Sequence, residues 1–359
     1  MATIERPTAD LSTPLGVLRA GTVVPAHPLA LDERRQLDPK RQRALSRYYL
    51  DAGAGGLAVG VHTTQFQIRD HGLYEPVLQL AHDTAMAWEP LGGRRPVALV
   101  AGLAGPTAQA VAEARLARAI GYHAGLLSLG GLGAWSEDEL LSHCREVARH
   151  IPLVGFYLQP AVGGRVLSRH FWQAFASMEE VIAIKIAPFH RYRTLDVIHG
   201  VVAAGAEKRI TLYTGNDDHI VLDLLVPWVV MRDGESVPVR IRGGLLGHWS
   251  VWTQQAVALW QRCRHACEAD ALPADLLALD SQVTDCNAAF FDVDHDFHGC
   301  IAGCHEVLRR QGLLQGTWCL DPQEGLSPGQ SEAIDRVYRA YPHLNDDDFV
   351  RQHLERWLS

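Results

Sequence analysis

A recurrence in the sequence constrains the fold more than any single motif does. Short apolar, β-branched runs bounded by Gly or Pro return along the chain: Thr22 to Val24, Gly56 to Val61, Pro96 to Val100, Gly125 to Leu129, Pro152 to Leu158, Val181 to Ile186, Arg209 to Tyr213 and Val239 to Ile241. From Pro96 onward the spacing is about thirty residues, the length of one strand, one helix and two loops. Eight such runs predict an α/β fold, a closed (β/α)8 TIM barrel, with a doubly wound open sheet as the alternative. The runs IPLVGFYL and VIAIKIA are continuously apolar rather than alternating, as expected of parallel strands covered on both faces.

Helical segments fill the intervals. Pro106 to Gly121 places Ala112, Leu116, Ala119 and Ile120 on one stripe and ends on a glycine suited to a helix stop. Thr194 to Ala204 is followed by Gly205, and Asp38-Pro39 supplies a cap and a first-turn proline. After Trp252 the strand pattern stops. Thr253 to Glu268, Ala274 to Ala289, Cys300 to Gln311, Pro328 to Tyr341 and Asp346 to Leu358 all read as helices, and Ser327-Pro328 reads as a helix start. Residues 1–268 are therefore predicted to form the barrel catalytic domain and 269–359 a C-terminal helical region.

A net charge of -8 over 359 residues argues against a nucleic-acid partner, which needs clustered Lys and Arg. The basic run from Arg34 to Arg47 is interrupted by Asp32, Glu33 and Asp38 as a solvated helix face would be. No apolar stretch reaches the roughly 18 residues of a membrane span, and MATIERPTAD lacks a secretory pattern. No membrane partner and a cytoplasmic setting are expected. Seven scattered cysteines, an odd number, predict reduced thiols.

Lys185 is the most informative single residue. It stands inside VIAIKIAPF, where a charged ammonium would leave water at high cost. Desolvation favours the neutral amine, the form that condenses with a carbonyl to give a Schiff base. A lysine snorkelling from a strand end is the equally weighted alternative. Tyr157, at a comparable place in the preceding run, offers a phenol for proton relay or else a satisfied core hydroxyl. The loop Gly60-Val61-His62-Thr63-Thr64-Gln65 offers two hydroxyls and successive amides that could hold a carboxylate, or simply form a local turn.

Taken together, His62-Thr63-Thr64-Gln65-Phe66, Tyr157-Leu158-Gln159-Pro160, Ala183-Ile184-Lys185 and Tyr213-Thr214-Gly215-Asn216-Asp217 resemble the dihydrodipicolinate synthase and N-acetylneuraminate lyase family of Schiff-base barrels. The resemblance runs from about Val23 to Trp252. It implies a lyase or aldolase acting on a pyruvate-like 2-keto acid or its aldol adduct, with Lys185 as covalent nucleophile, Tyr157 as proton relay, Thr64 as a further catalytic residue, and Thr63, Thr64, Gly215 and Asn216 binding substrate. It implies no cofactor beyond the covalent lysine, and a homo-oligomer, dimer or tetramer.

Several departures argue against dihydrodipicolinate synthase activity itself. Gly130-Gly131-Leu132-Gly133 replaces the family's Pro-Tyr-Tyr loop, Val162 occupies the place of its arginine with Arg165 three residues later, and Ile186 and Gln65-Phe66 replace acidic positions. Phe66, Phe189, His190 and Trp249 could line a pocket for a bulkier or aromatic carbonyl compound. Two other readings stay open. One is a metal-assisted lyase or hydrolase using His62, His190, His248 or the cluster Asp292 to His298 with Cys300, Cys304 and His305. The other is a keto-acid-binding protein without turnover.

Overall fold

The computed structural model describes residues 9–269 and 271–359, so most of the N-terminal stretch read for a signal lies outside the described residues. Its strands are β1 (Val23–Pro25), β2 (Gly56–Val59), β3 (Ala98–Leu103), β4 (Ala124–Leu127), β5 (Leu153–Leu158), β6 (Val181–Ala187), β7 (Thr211–Thr214), β8 (Trp228–Arg232), β9 (Glu235–Val239) and β10 (Ile241–Leu246). Eight of them form one parallel sheet in the order β1-β10-β7-β6-β5-β4-β3-β2. A parallel bridge between Ala26 and Ala58 joins the two ends of that order. The result is a TIM barrel with helices between the strands.

The pleat sorts the apolar runs into two layers. Ala98 and Val100 of β3 join Ala58, Ala124, Val154 and Phe156 in the barrel interior, where small side chains suit the narrow lumen. Leu99, Ala101 and Leu103 face the helices. Among the described residues, the floor is formed by the helix Pro14–Ala20, which the strand pattern did not reveal. Leu18 of that helix packs in the interior cluster, and its carbonyl accepts a hydrogen bond from the Tyr213 hydroxyl.

Most expected helices form, with local corrections. Asp38 caps Pro39–Asp51 by accepting from the amides of Lys40 and Arg41, and Gly121 closes Thr107–Ile120 at φ +119. The stripe expected on that helix is wrong: Ala112 and Ala119 are exposed, and Ala110, Glu113, Ala114 and Ala117 face inward. An alanine-rich helix has little hydrophobic contrast between its faces. Glu113 is tolerated there because Arg69 pairs with it at 2.7 Å.

The eighth run also needs correcting. Val239 ends an antiparallel hairpin, β8 with β9, and the barrel strand begins only at Ile241. The hairpin turn is Asp233-Gly234, at φ +52 and +81, a sequence signal for this turn type. Ser327 does not cap its helix. Gln330–Ala340 starts after Gly329 in the left-handed region, and the Ser327 hydroxyl donates to the buried Asp292 carboxylate.

The tail helices lie against the barrel. Trp357 and Arg356 donate to Asp51 at 2.7 and 2.6 Å, and Tyr48 donates to Asp346 at 2.7 Å. The segment between Ala274–Phe290 and Cys300–Arg310 passes over the mouth formed by the C-terminal strand ends. No helix among the described residues is long and apolar enough to cross a membrane.

Candidate active site

In parallel strands, residues in register share a face of the sheet. Lys185 of β6 is in register with Phe156 of β5 and Tyr213 of β7, so all three point into the barrel. The Lys185 amine lies 4.3 Å from the centroid of the Phe156 ring, a cation–π contact for the ammonium and an apolar wall for the amine. Its stem crosses Gly215 so closely that a Cβ there would stand 2.7 Å from Lys185 Cε and 2.8 Å from Ala187 Cβ. Gly215 therefore gives the lysine room to reach the mouth.

Lys185 is 8% exposed and borders a pocket at that mouth. Burial brings its amine down to about 8, against the pull of the Asp217 carboxylate. Burial pushes Asp217 up to about 7, with Lys185 and the His248 amide pulling the other way. That amide donates to Asp217 Oδ1 at 3.4 Å, and the Asn287 side chain donates to the Asp217 carbonyl at 2.6 Å. His62 is held neutral, down to about 4, first by burial and then by the charge of Lys185. An amine that deprotonates more readily than an ordinary lysine, a carboxyl that protonates more readily than an ordinary aspartate and a neutral imidazole thus share one cavity.

Tyr157 is not in that cavity. It is in register with Ile186 and faces the helices, its ring 5.0 Å from Trp172 and its hydroxyl bonded to the Leu167 backbone at 3.3 and 3.4 Å. One step along a pleated strand reverses the side chain, so Phe156 takes the place expected for the phenol. Thr64 is likewise committed elsewhere. Its hydroxyl donates to the His27 carbonyl at 2.6 Å and accepts from the Gly60 amide at 3.0 Å.

Thr63 does border the pocket, but its hydroxyl donates to the Ala26 carbonyl at 2.7 Å. Asn216 is a brace: its Oδ1 accepts from the Phe189 amide at 3.0 Å, and its Nδ2 donates to Thr194 and Asp223 at 3.2 and 2.9 Å. Of the four residues expected to bind substrate, Thr63 and Gly215 border the cavity. Phe189 lines it, whereas Phe66, His190 and Trp249 do not.

Sequence reasoning missed several members of the wall. Asp217 ended a motif already singled out, yet its carboxyl was not assigned a part. Phe291, Phe297 and Cys300 come from the tail, and no local pattern links them to the barrel mouth. Val162 is in the wall, while Arg165 donates to the Leu132 and Trp135 carbonyls at 3.0 and 2.9 Å. Among the described residues, no three His, Cys, Asp or Glu side chains are grouped so as to hold a metal ion. Asp292 instead accepts from His295 Nδ1 at 2.6 Å and from the Gly299 amide at 2.9 Å.

The dihydrodipicolinate synthetase family matches the chain over residues 20–226, a span that begins just before β1 and includes Lys185, Gly215 and Asp217. The chain belongs to that family. Dihydrodipicolinate synthetase family proteins are class I aldolase-type lyases. No curated protein matches the sequence.

Solved structures in the family share the fold at low identity. YagE, a prophage protein from E. coli K12 solved in complex with pyruvate, is 18% identical with a TM-score of 0.71, covering 90% of this chain and 98% of its own. Dihydrodipicolinate synthase from Acinetobacter baumannii, also complexed with pyruvate, is 16% identical with a TM-score of 0.71, covering 89% and 98%. N-acetylneuraminate lyase from Fusobacterium nucleatum is 15% identical with a TM-score of 0.69, covering 89% and 98%.

Proposed function

We propose that this member of the family is a class I lyase or aldolase in which Lys185 forms a Schiff base with a pyruvate-type 2-keto acid or with its aldol adduct. The observation behind this reading is the buried amine at the barrel mouth, lowered by burial and in the same pocket as Asp217. Pyruvate complexes of two structures with the same fold support the choice of donor. The covalent imine itself provides the electron sink that C–C bond chemistry needs.

The steps follow from the groups present. The neutral Lys185 amine attacks the keto carbon, forming a C–N bond while the carbonyl electron pair moves to oxygen and takes up a proton. Loss of water gives the iminium. The Asp217 carboxylate then accepts a proton from the adjacent carbon to give the enamine, or from the hydroxyl of an aldol adduct as its C–C bond breaks. With a pKa near operating pH, Asp217 is suited to exchanging that proton in both directions. Tyr157 and Thr64 have no part in this route.

Borohydride reduction with pyruvate and other 2-keto acids, followed by intact mass and peptide mapping, tests the reading. The expected result is one adduct on Lys185, absent from Lys185→Met. No adduct with any keto acid in a folded sample would overturn it. An adduct with no turnover of any aldehyde or aldol would favour the binding protein.

A further inference from the structure

The second substrate is also constrained by the wall of the cavity. Its apolar side chains include Phe156, Leu158, Val162, Phe189, Phe291 and Phe297. Among the described residues, no arginine and no lysine other than Lys185 borders it. The carboxyl of Asp217 is in the wall, and Glu324 acts electrostatically on Cys300 of the same wall. An acceptor with its own carboxylate would meet acidic groups and no guanidinium to pair with.

A second observation concerns the backbone. Phe189 and Phe297 sit at φ +49 and +67, a region unfavourable to bulky L-residues. Both are held there: the Phe189 amide donates to Asn216 Oδ1 at 3.0 Å, and the Phe297 amide donates to the Asp292 carbonyl at 3.0 Å. Their rings meet edge to face, with centroids 5.7 Å apart. Two strained phenylalanines, one from the barrel and one from the tail, meeting at the same pocket are the kind of outlier that marks a ligand clamp.

Resting on the Schiff-base reading above, we infer that the acceptor aldehyde is uncharged and aryl-bearing, and that Phe189 and Phe297 select it. The enamine carbon of the lysine-bound keto acid attacks the aldehyde carbon, a C–C bond forms, and the aldehyde oxygen takes the proton that Asp217 removed. Water then hydrolyses the iminium, freeing Lys185 and a 4-aryl-4-hydroxy-2-keto acid. The reverse direction cleaves the same bond and returns the same proton.

Two measurements test this. The first is pyruvate trapping by borohydride; without an adduct the covalent reading and this inference both fall. The second is kcat/KM for aldol formation with pyruvate and either benzaldehyde or the anionic aldehyde succinic semialdehyde. Benzaldehyde should be preferred by at least about 10-fold. That ratio should fall by about 10-fold in Phe297→Ala and be partly restored in Phe297→Leu, which keeps apolar bulk should the alanine variant fold poorly. An adduct on Lys185 together with a preference for the anionic aldehyde, or with a ratio unmoved in both variants, would overturn the aryl assignment and leave the Schiff-base reading standing.

Discussion

Replacing Lys185 with methionine should make the protein more stable, by an amount that shrinks as pH rises. Burial lowers the amine from 10.5 to about 8, so between those values the native state binds fewer protons than the unfolded chain. Stability contributed by this group therefore rises with pH through that window. At 1.36 kcal/mol per pKa unit, the lysine costs about 3 kcal/mol at roughly pH 7.5 and about 2 kcal/mol less than that at roughly pH 9.5. Lys185→Met removes the cost and places a thioether against Phe156. Its advantage over the native protein should thus narrow by about 2 kcal/mol over that range. In the variant, Asp217 loses the charge that pulls it down and titrates higher, which costs the variant stability as pH rises and narrows the gap further. Urea unfolding of both proteins at matched pH, followed by tryptophan fluorescence with the slopes compared, measures the gap. A gap constant to within about 0.5 kcal/mol, or a variant less stable at neutral pH, would refute the reasoning.

Three further outcomes are expected. Gly215→Ala places a Cβ 2.7 Å from Lys185 Cε, so pyruvate trapping should slow by about 10- to 100-fold; an unchanged rate would show that the lysine stem can move aside. Tyr157→Phe should leave the trapping rate within about twofold and cost about 1 kcal/mol in stability at most, because among the described residues the hydroxyl bonds the Leu167 backbone. A tenfold slower trap in that variant would return Tyr157 to the chemistry. Asp217→Asn removes the group that pulls the Lys185 amine upward, so the pH of half-maximal trapping should move down while aldol turnover, which needs the proton transfer, falls by about 100-fold. A midpoint moving up would contradict the pairing.

The parts of the fold that were legible in the sequence are those fixed by composition over several residues. The apolar runs located the barrel strands, and Gly121 and Asp38 located helix ends, because those residues act through local geometry. Which face of a strand points inward was not legible. In LVGFYL nearly every residue is buried, so no alternation separates Phe156 from Tyr157, and the Tyr-x-x-Pro spelling pointed to the residue that faces the helices. Residue type also said nothing of commitment: Thr64 and Asn216 have the right chemistry, but backbone and side-chain partners from distant segments have taken it. Phe291, Phe297 and Cys300 illustrate a third limit, since contacts between the tail and β6 arise only in the folded chain.

That tail couples the site to a distant part of the chain. The strands that aim Lys185 and Asp217 end with β10 (Ile241–Leu246), yet the amide that binds the Asp217 carbonyl and one side of the pocket wall, Phe291, Phe297 and Cys300, come from the tail. A barrel without residues 287 to 300 would present Lys185 to more water, with its pKa nearer that of an ordinary lysine. Chemistry at the lysine thereby depends on how the tail seats against the barrel, and proteolytic clipping between β10 and residue 287 should leave the amine more hydrated.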